Sequence, residues 1–343
     1  MNTINVVLIS PFSSGPTRGN ITTVRRIADN LPETGCHVTL LPLDSMQPME
    51  QRRLLRQARP NLLHAFHAYH AGPAVRLAAM DLGIPYLVTV TGSDLFDPDF
   101  RNDLSTRLAI QDAAAVTCFD SLVAHQLADT FPEVAGKVTV IAQGVAPLPI
   151  SDSFSRDDNF NILLPAAIRP VKGIRSAIET LSPLAEAIPT MRLLLAGGNL
   201  DPVYAANIRE SIVSLPWILM LGEVPHQKMG DLFAASDLVL NCSLFEGGMA
   251  NTLLEAMIMG KPVLANDVLG NRSLIRHGES GWLYNSEPEF RDLVNMLFLN
   301  PGVGIKMGEA GRNFVQKNCS IRAEVNGYRA VYEKIRGGYS ELS

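Results

Sequence analysis

The 343-residue chain is short of cysteine, of aromatic residues (6%) and of long apolar runs. Its four cysteines, Cys36, Cys118, Cys242 and Cys319, are scattered without a C-x-x-C pair. That excludes a zinc ribbon and a disulfide scaffold and leaves them as small buried apolar residues. No stretch reaches the ~18–20 apolar residues that a membrane-crossing helix needs. The opening MNTINVVLISPF lacks the basic segment and long apolar core of a secretory signal and reads as a first buried strand. A soluble, cytoplasmic protein is therefore expected. Positive charge is also in short supply: 29 Lys plus Arg face 34 Asp plus Glu, a net charge of −5, which is not the basic footprint of a nucleic-acid binder. Two phosphate signatures are missing as well. No G-x-G-x-x-G follows the first strand and no G-x-x-x-x-G-K-[ST] occurs anywhere, which sets aside ordinary dinucleotide dehydrogenases and P-loop NTPases.

What is present is a regular alternation. At 47% hydrophobic residues the chain is long enough for two domains, each with its own core. Short β-branched runs recur at Ile4–Ser10, Cys36–Pro42, Asn61–Phe66, Tyr86–Thr91, Ala115–Cys118 and Val138–Ala142. A second series follows at Asn161–Pro165, Met191–Ala196, Ile218–Leu221, Leu238–Asn241 and Pro262–Ala265. Segments of helical length, such as Thr22–Leu31, Ala71–Met80 and Lys172–Ile188, lie between them. Continuous apolar strands alternating with helices predict parallel sheets covered on both faces, hence an α/β protein with two Rossmann-like, doubly wound domains. The interruption at Gln143–Asn159, rich in proline, serine and aspartate, reads as the linker and divides the chain into domains at 1–150 and 156–320. Two such domains are expected to face each other across a cleft at the carboxyl ends of their strands, where open α/β sheets bind ligands.

Several segments carry chemistry. The first strand runs into a loop with Gly15, Gly19 and Asn20, where the backbone can approach a ligand closely and Thr22 or Thr23 would cap the next helix. This loop reads either as an anion-facing loop or as an ordinary βα turn. The strongest segment is 241–257, Asn-Cys-Ser-Leu-Phe-Glu-Gly-Gly-Met-Ala-Asn-Thr-Leu-Leu-Glu-Ala-Met. A strand end, a Gly-Gly turn and a helix start near Ala250 or Asn251 would present backbone N–H groups suited to a diphosphate. Glu246 and Glu255 flank that turn. Carboxylates there would repel phosphate, so they make sense as acceptors for sugar or ribose hydroxyls. A solvated Glu255 is the alternative, and its apolar neighbours Leu253, Leu254, Ala256 and Met257 argue against it.

Arg169 and Lys172 stand at a strand end and helix start, with Pro170 stiffening the turn. A planar guanidinium and a point-charge ammonium suit two phosphates and can stabilise a leaving diphosphate without a metal. Two solvated cations are the alternative, but the dipole of a helix start disfavours them. His64, His67 and His70 recur at every third position, in a strand end and loop instead of a helix, so no metal site is expected. His64 reads as a satisfied strand histidine; His67, nearer the strand's carboxyl end, could face the cleft and an acceptor. Asp94, in Ser93-Asp94-Leu95-Phe96, is an acceptor-side candidate or a helix cap, and His226 reads as a surface residue. The basic helix 50–59 could dock on anionic lipid, but in an acidic chain it reads as a solvated face.

Together these segments resemble the retaining glycosyltransferases of family 4, the group 1 transferases with the GT-B fold. The similarity runs from segment 241–257 to Ile168-Arg169-Pro170-Val171-Lys172-Gly173, Leu193–Gly198, Leu221–Pro225, Pro262–Asn271 and His277–Leu283. It continues more loosely through Gly19-Asn20, Thr89–Asp94 and Gln143-Gly144-Val145. The resemblance implies transfer of a sugar, with retained configuration, from a nucleotide-diphosphate sugar to a hydroxyl of a small molecule, glycan or lipid-linked acceptor, with no metal or other cofactor. It implies that Glu255 takes the ribose hydroxyls and that Arg169 and Lys172 hold the diphosphate. Gly247, Gly248, Met249 and Ala250 would present backbone donors, Glu246 would lie near the sugar, and Glu223 and Val224 would line the base. Gly19 and Asn20 count with the nucleotide-sugar contacts, His67 and Asp94 with the acceptor side, and the last helix (about 321–343) packs back on the first domain. The chain departs from the family in having one extra residue between its two glutamates and in carrying Thr91 where many members have histidine. A GT-B epimerase or hydrolase and a non-catalytic nucleotide-sugar-binding protein are the alternative functions.

Overall fold

The computed structural model describes residues 3–13 and 19–340, which pack as two units. The first comprises the chain up to Gly144, together with Gly247–Met249 and everything from Cys319 on; the second comprises Val145–Glu246 and Ala250–Asn318. The first sheet is built from β1 (Ile4–Ser10), β2 (Cys36–Pro42), β3 (Leu62–Phe66), β4 (Tyr86–Thr89), β5 (Ala115–Cys118) and β6 (Val138–Val140). Its strands are parallel, in the order β2-β1-β3-β4-β5-β6. The second is built from β7 (Phe160–Pro165), β8 (Met191–Ala196), β9 (Ile218–Gly222), β10 (Leu238–Asn241), β11 (Val263–Asn266) and β12 (Trp282–Tyr284). It too is parallel, in the order β12-β11-β10-β7-β8-β9.

The strands are apolar on both faces because helices cover both. Along β1, Val7 and Ile9 join one buried cluster, while Ile4, Val6 and Leu8 join another on the opposite face. Helix Gly19–Asn30 and the terminal helix Ile321–Ser340 cover that second face, with Val24, Ile27, Tyr328 and Tyr332 buried in it. His64 is a satisfied strand histidine: its ring is fully buried and hydrogen-bonds Tyr332 Oη at 2.8 Å and Thr89 Oγ1 at 2.7 Å. Burial pushes its pKa down to about 3. In the second unit Ile162, Leu164, Leu193, Leu195, Leu238 and Leu240 form the core with the helices Ile174–Ala187 and Glu287–Leu299.

Both strand orders reverse direction once. In the first sheet the chain steps from β1 outward to β2 and resumes with β3 on the other side of β1. In the second it runs β7, β8, β9 and resumes with β10 beside β7. The connections leaving neighbouring strands diverge at such points and open a crevice at the strand ends. The loops after β1 and β3, and those after β7 and β10, are therefore where each unit can bind.

Some local expectations change. The helix after β1 runs Gly19–Asn30, so Thr22 and Thr23 lie inside it, and buried Thr23 donates to Gln143 Oε1 at 2.7 Å. Gly15 lies outside the described residues. Residues after Gly144 pack with the second unit, where Ser151 N and Oγ each donate to the Asp231 carboxylate at 2.7 Å. Strand β12 had no counterpart in the sequence reading. Among the described residues no helix is long and apolar enough to cross a membrane.

Candidate functional site

At the switch point of the second sheet, β7 ends at Pro165 and leads into a 3-10 turn, Pro170–Lys172, preceded by exposed Arg169. Gly173 closes the turn at φ +63°, and a Cβ there would lie 2.1 Å from Cys242 O. Only glycine supplies both this backbone angle and this close approach. The turn consequently sits against the end of β10, where Leu244 N donates to Val171 O at 2.8 Å. Lys172 Nζ then reaches Glu246 Oε1 at 2.6 Å and Ser243 Oγ at 3.1 Å. Asn241 braces the same carboxylate, donating from Nδ2 at 3.3 Å while its Oδ1 accepts from Ser243 N at 3.0 Å. Burial pushes the Glu246 carboxyl up, but the Lys172 charge and the surrounding hydrogen bonds outweigh it and hold the pKa below the usual carboxylate range. Glu246 is thus an anion beside a cation, both still partly open to solvent.

The helix Asn251–Ile258 starts just beyond this loop, and its residues from Leu253 to Ile258 are buried. Glu255 is buried with them (7% exposed), and His226 Nε2–H donates to its Oε1 at 2.7 Å. The carboxylate needs such a donor, because an unpaired charge in apolar surroundings is costly. His226 opens a 3-10 turn, His226–Lys228, directly after the β9 loop that carries exposed Glu223 and half-buried Val224. His226 is exposed, as the sequence reading has it, and its ring also pairs with Glu255. A local pattern cannot show a pair of residues 29 positions apart.

Gly247, Gly248 and Met249 belong with the first unit. A Cβ on Gly247 would lie 2.0 Å from Gly92 Cα, so two glycine backbones meet there directly. Gly248 and Met249 both adopt positive φ, +99° and +24°. In a methionine that angle is strained and needs an external hold. Gln143, a residue the sequence singled out only within Gln143-Gly144-Val145, supplies it. Its Nε2 donates to Met249 O at 2.6 Å, while its Oε1 accepts from Thr23 and from Arg26 Nη2 (3.0 Å). Ala250, the next residue, precedes the helix with φ −56° and ψ 123°.

At the switch point of the first sheet the candidate groups turn inward. His67, at φ +81°, is almost fully buried; its Nδ1 accepts from His70 N at 3.3 Å, so Nε2 carries the proton and donates to Ser93 Oγ at 2.9 Å. Burial holds its pKa low, with the Asp94 charge partly opposing. Asp94 is fully buried, and its carboxylate accepts from Ala68 N (2.7 Å), Thr91 N (3.0 Å) and Gly92 N (2.7 Å). His67 and Asp94 were both expected on the acceptor side; their polar atoms hydrogen-bond within the turn. Gly19 and Asn20 form the first turn of their helix, Gly19 exposed and Asn20 half-buried. Nearby, Tyr69 and Phe100 stack at 4.1 Å between ring centres. Among the described residues no group of three His, Cys, Asp or Glu side chains could hold a metal ion.

Comparison with known proteins finds similar sequences and folds. Residues 159–300 match the family described as glycosyl transferases group 1, and residues 42–144 match the glycosyl transferase 4-like domain. The chain is 26% identical over 329 residues to glycosyltransferase 1 domain-containing protein 1 of Xenopus tropicalis, covering 91% of this chain and 93% of that one. Among solved structures, sucrose-phosphate synthase from Thermosynechococcus elongatus superposes with a TM-score of 0.81 at 17% identity, over 97% of this chain and 99% of that one. HepE of Anabaena, crystallised with UDP and glucose, superposes with a TM-score of 0.76 at 16% identity, over 96% and 99% of the two chains.

Proposed function

This chain belongs to the group 1 glycosyltransferases and has their GT-B fold, and we propose that it moves a sugar from a nucleotide-diphosphate donor to an acceptor hydroxyl with retained configuration. The observation that carries this reading is the pair of partnered carboxylates around the second sheet's switch point, Glu246 with Lys172 and Glu255 with His226. Lys172 and Arg169 supply positive charge for a diphosphate, and the backbone from Gly247 to Ala250 supplies N–H donors at a helix start. Glu255 accepts from the ribose hydroxyls, Glu246 lies beside the sugar, and the β9 loop with Glu223 and Val224 lines the base. HepE, crystallised with UDP and with UDP-glucose, supports a uridine donor as the first to test.

In the step itself the bond from the anomeric carbon to the phosphate oxygen breaks as the acceptor oxygen bonds to that carbon from the same face. The acceptor proton passes to a phosphate oxygen. The charge that grows on the leaving diphosphate is met by Lys172 and Arg169, fixed dipoles and charges that need little reorganisation. No metal is required in this scheme.

The test is incubation of the protein with UDP-glucose and other nucleotide sugars against glycan, small-molecule and lipid-linked acceptors. Nucleotide release and the anomeric coupling of the product are then measured by NMR. A glycoside with the donor's own configuration is expected. Free sugar alone, with no acceptor product, would assign a hydrolase instead, and an inverted product would remove the same-face mechanism.

A further inference from the structure

We infer that His226 is a positioning residue for nucleotide recognition: it sets the orientation in which Glu255 meets both hydroxyls of a ribonucleoside diphosphate. This rests on the reading of Glu255 as the ribose-binding group. The terminal torsion of a glutamate is broad, so its carboxylate has no preferred plane of its own. An ionised carboxylate offers about four acceptor sites, and a single donor on one oxygen selects a plane while leaving capacity for two hydroxyls. His226 Nε2 provides that donor at 2.7 Å to Oε1.

The placement of the donor adds a second argument. Glu255 is packed into a helix whose neighbouring side chains, Leu253, Leu254, Ala256 and Met257, are all apolar and buried. The histidine side chain, by contrast, is 44% exposed. It comes from the turn that follows Glu223 and Val224 without a break. One hydrogen bond therefore ties the β9 loop, read as the base-lining segment, to the carboxylate read as the ribose group. The base and the ribose of one nucleoside would be held by parts that move together. A plain structural clasp would stabilise the helix equally well but would have no bearing on which sugar the nucleotide carries. That difference makes the inference testable.

The experiment is calorimetric titration of the full chain with UDP and with 2′-deoxy-UDP, repeated for the GDP and ADP pairs. Wild-type protein is expected to favour the ribonucleotide by about ten-fold or more, the value of one hydrogen bond to a charged group. In His226→Leu that preference should fall to about two- to three-fold, with affinity for the deoxynucleotide nearly unchanged, as expected when only the hydroxyl contact is loosened. His226→Gln, whose amide can donate to Glu255, should restore most of the preference, and a thermal melt verifies that each variant is folded. If Glu255→Ala loses the preference while His226→Leu keeps it, the positioning role is wrong and the ribose reading stands. Should Glu255→Ala keep it as well, the ribose reading falls and takes the inference with it. Absence of binding by wild-type protein to all three nucleotide pairs would overturn both.

Discussion

At the switch point of the first sheet, Asp94 is wholly buried and its carboxylate accepts from the backbone of residues 68, 91 and 92. At the switch point of the second, Glu246 faces Lys172 at 2.6 Å and both side chains still meet solvent. The two sheets share an architecture, and both place a carboxylate just past a strand end. In the first, the fixed backbone donors leave the anion nothing to exchange, so it acts as a brace for the loop that carries His67. In the second, the anion is matched by a lysine ammonium still open to solvent, a charge that a diphosphate could share without unmaking the fold. A carboxylate at a strand end is thus informative about binding only once its donors are known.

This contrast predicts that substitutions at the two places fail in different assays. The largest effect is expected for Asp94→Ala, which strands three backbone N–H groups, two of them buried, and should destabilise the first unit by about 3–5 kcal/mol. Urea unfolding followed by circular dichroism measures it; a loss below about 1 kcal/mol would return Asp94 to the list of ligand contacts. Lys172→Met should instead lower turnover by about 10²–10³-fold, the usual effect of removing one donor to developing charge, with a much smaller change in stability. Equal activity with wild type would make the basic turn a solvated feature. Glu255→Ala should weaken nucleotide binding by about 1.5–3 kcal/mol, and an unchanged affinity would take Glu255 out of the site.

The smallest effect concerns pH and belongs to the first unit. His64 titrates near 3 when folded, against about 6.5 in an unfolded chain, so the unfolded state binds the extra proton first as pH falls. Its contribution is intact above about pH 6.5 and is lost progressively between there and about pH 3. Between pH 7.5 and 5.5 this one group should remove about 1.4 kcal/mol of stability. Replacing His64 by Gln should flatten that part of the urea-midpoint profile; an identical profile would show that other groups set the acid sensitivity.

Much of the scaffold was legible in the sequence. Strands β1, β2, β5, β8 and β10 fall at the residues where the β-branched runs begin and end. Buried parallel strands carry their signal on every residue. The placing of Lys172 and Glu246 was legible for a similar reason, since each sits in a turn marked by glycine or proline. What could not be read was partnership across distance. His226 finds Glu255 29 residues on, and Gln143 holds Met249 106 residues on, and neither spacing leaves a local pattern. Asp94 shows the converse limit, because capping-type residues look alike whether they hold a backbone or a ligand.

On the proposed function, the switch point of the second sheet should hold a nucleotide diphosphate through Lys172 without a metal. Calorimetric titration of the wild-type chain and of Lys172→Met with UDP, GDP and ADP, first in EDTA and then with Mg²⁺, tests it most directly. One nucleotide should bind wild type clearly better than the others, Mg²⁺ should leave its affinity unchanged, and Lys172→Met should lose most of it. Binding that needs Mg²⁺, or that survives the loss of Lys172 undiminished, would contradict it.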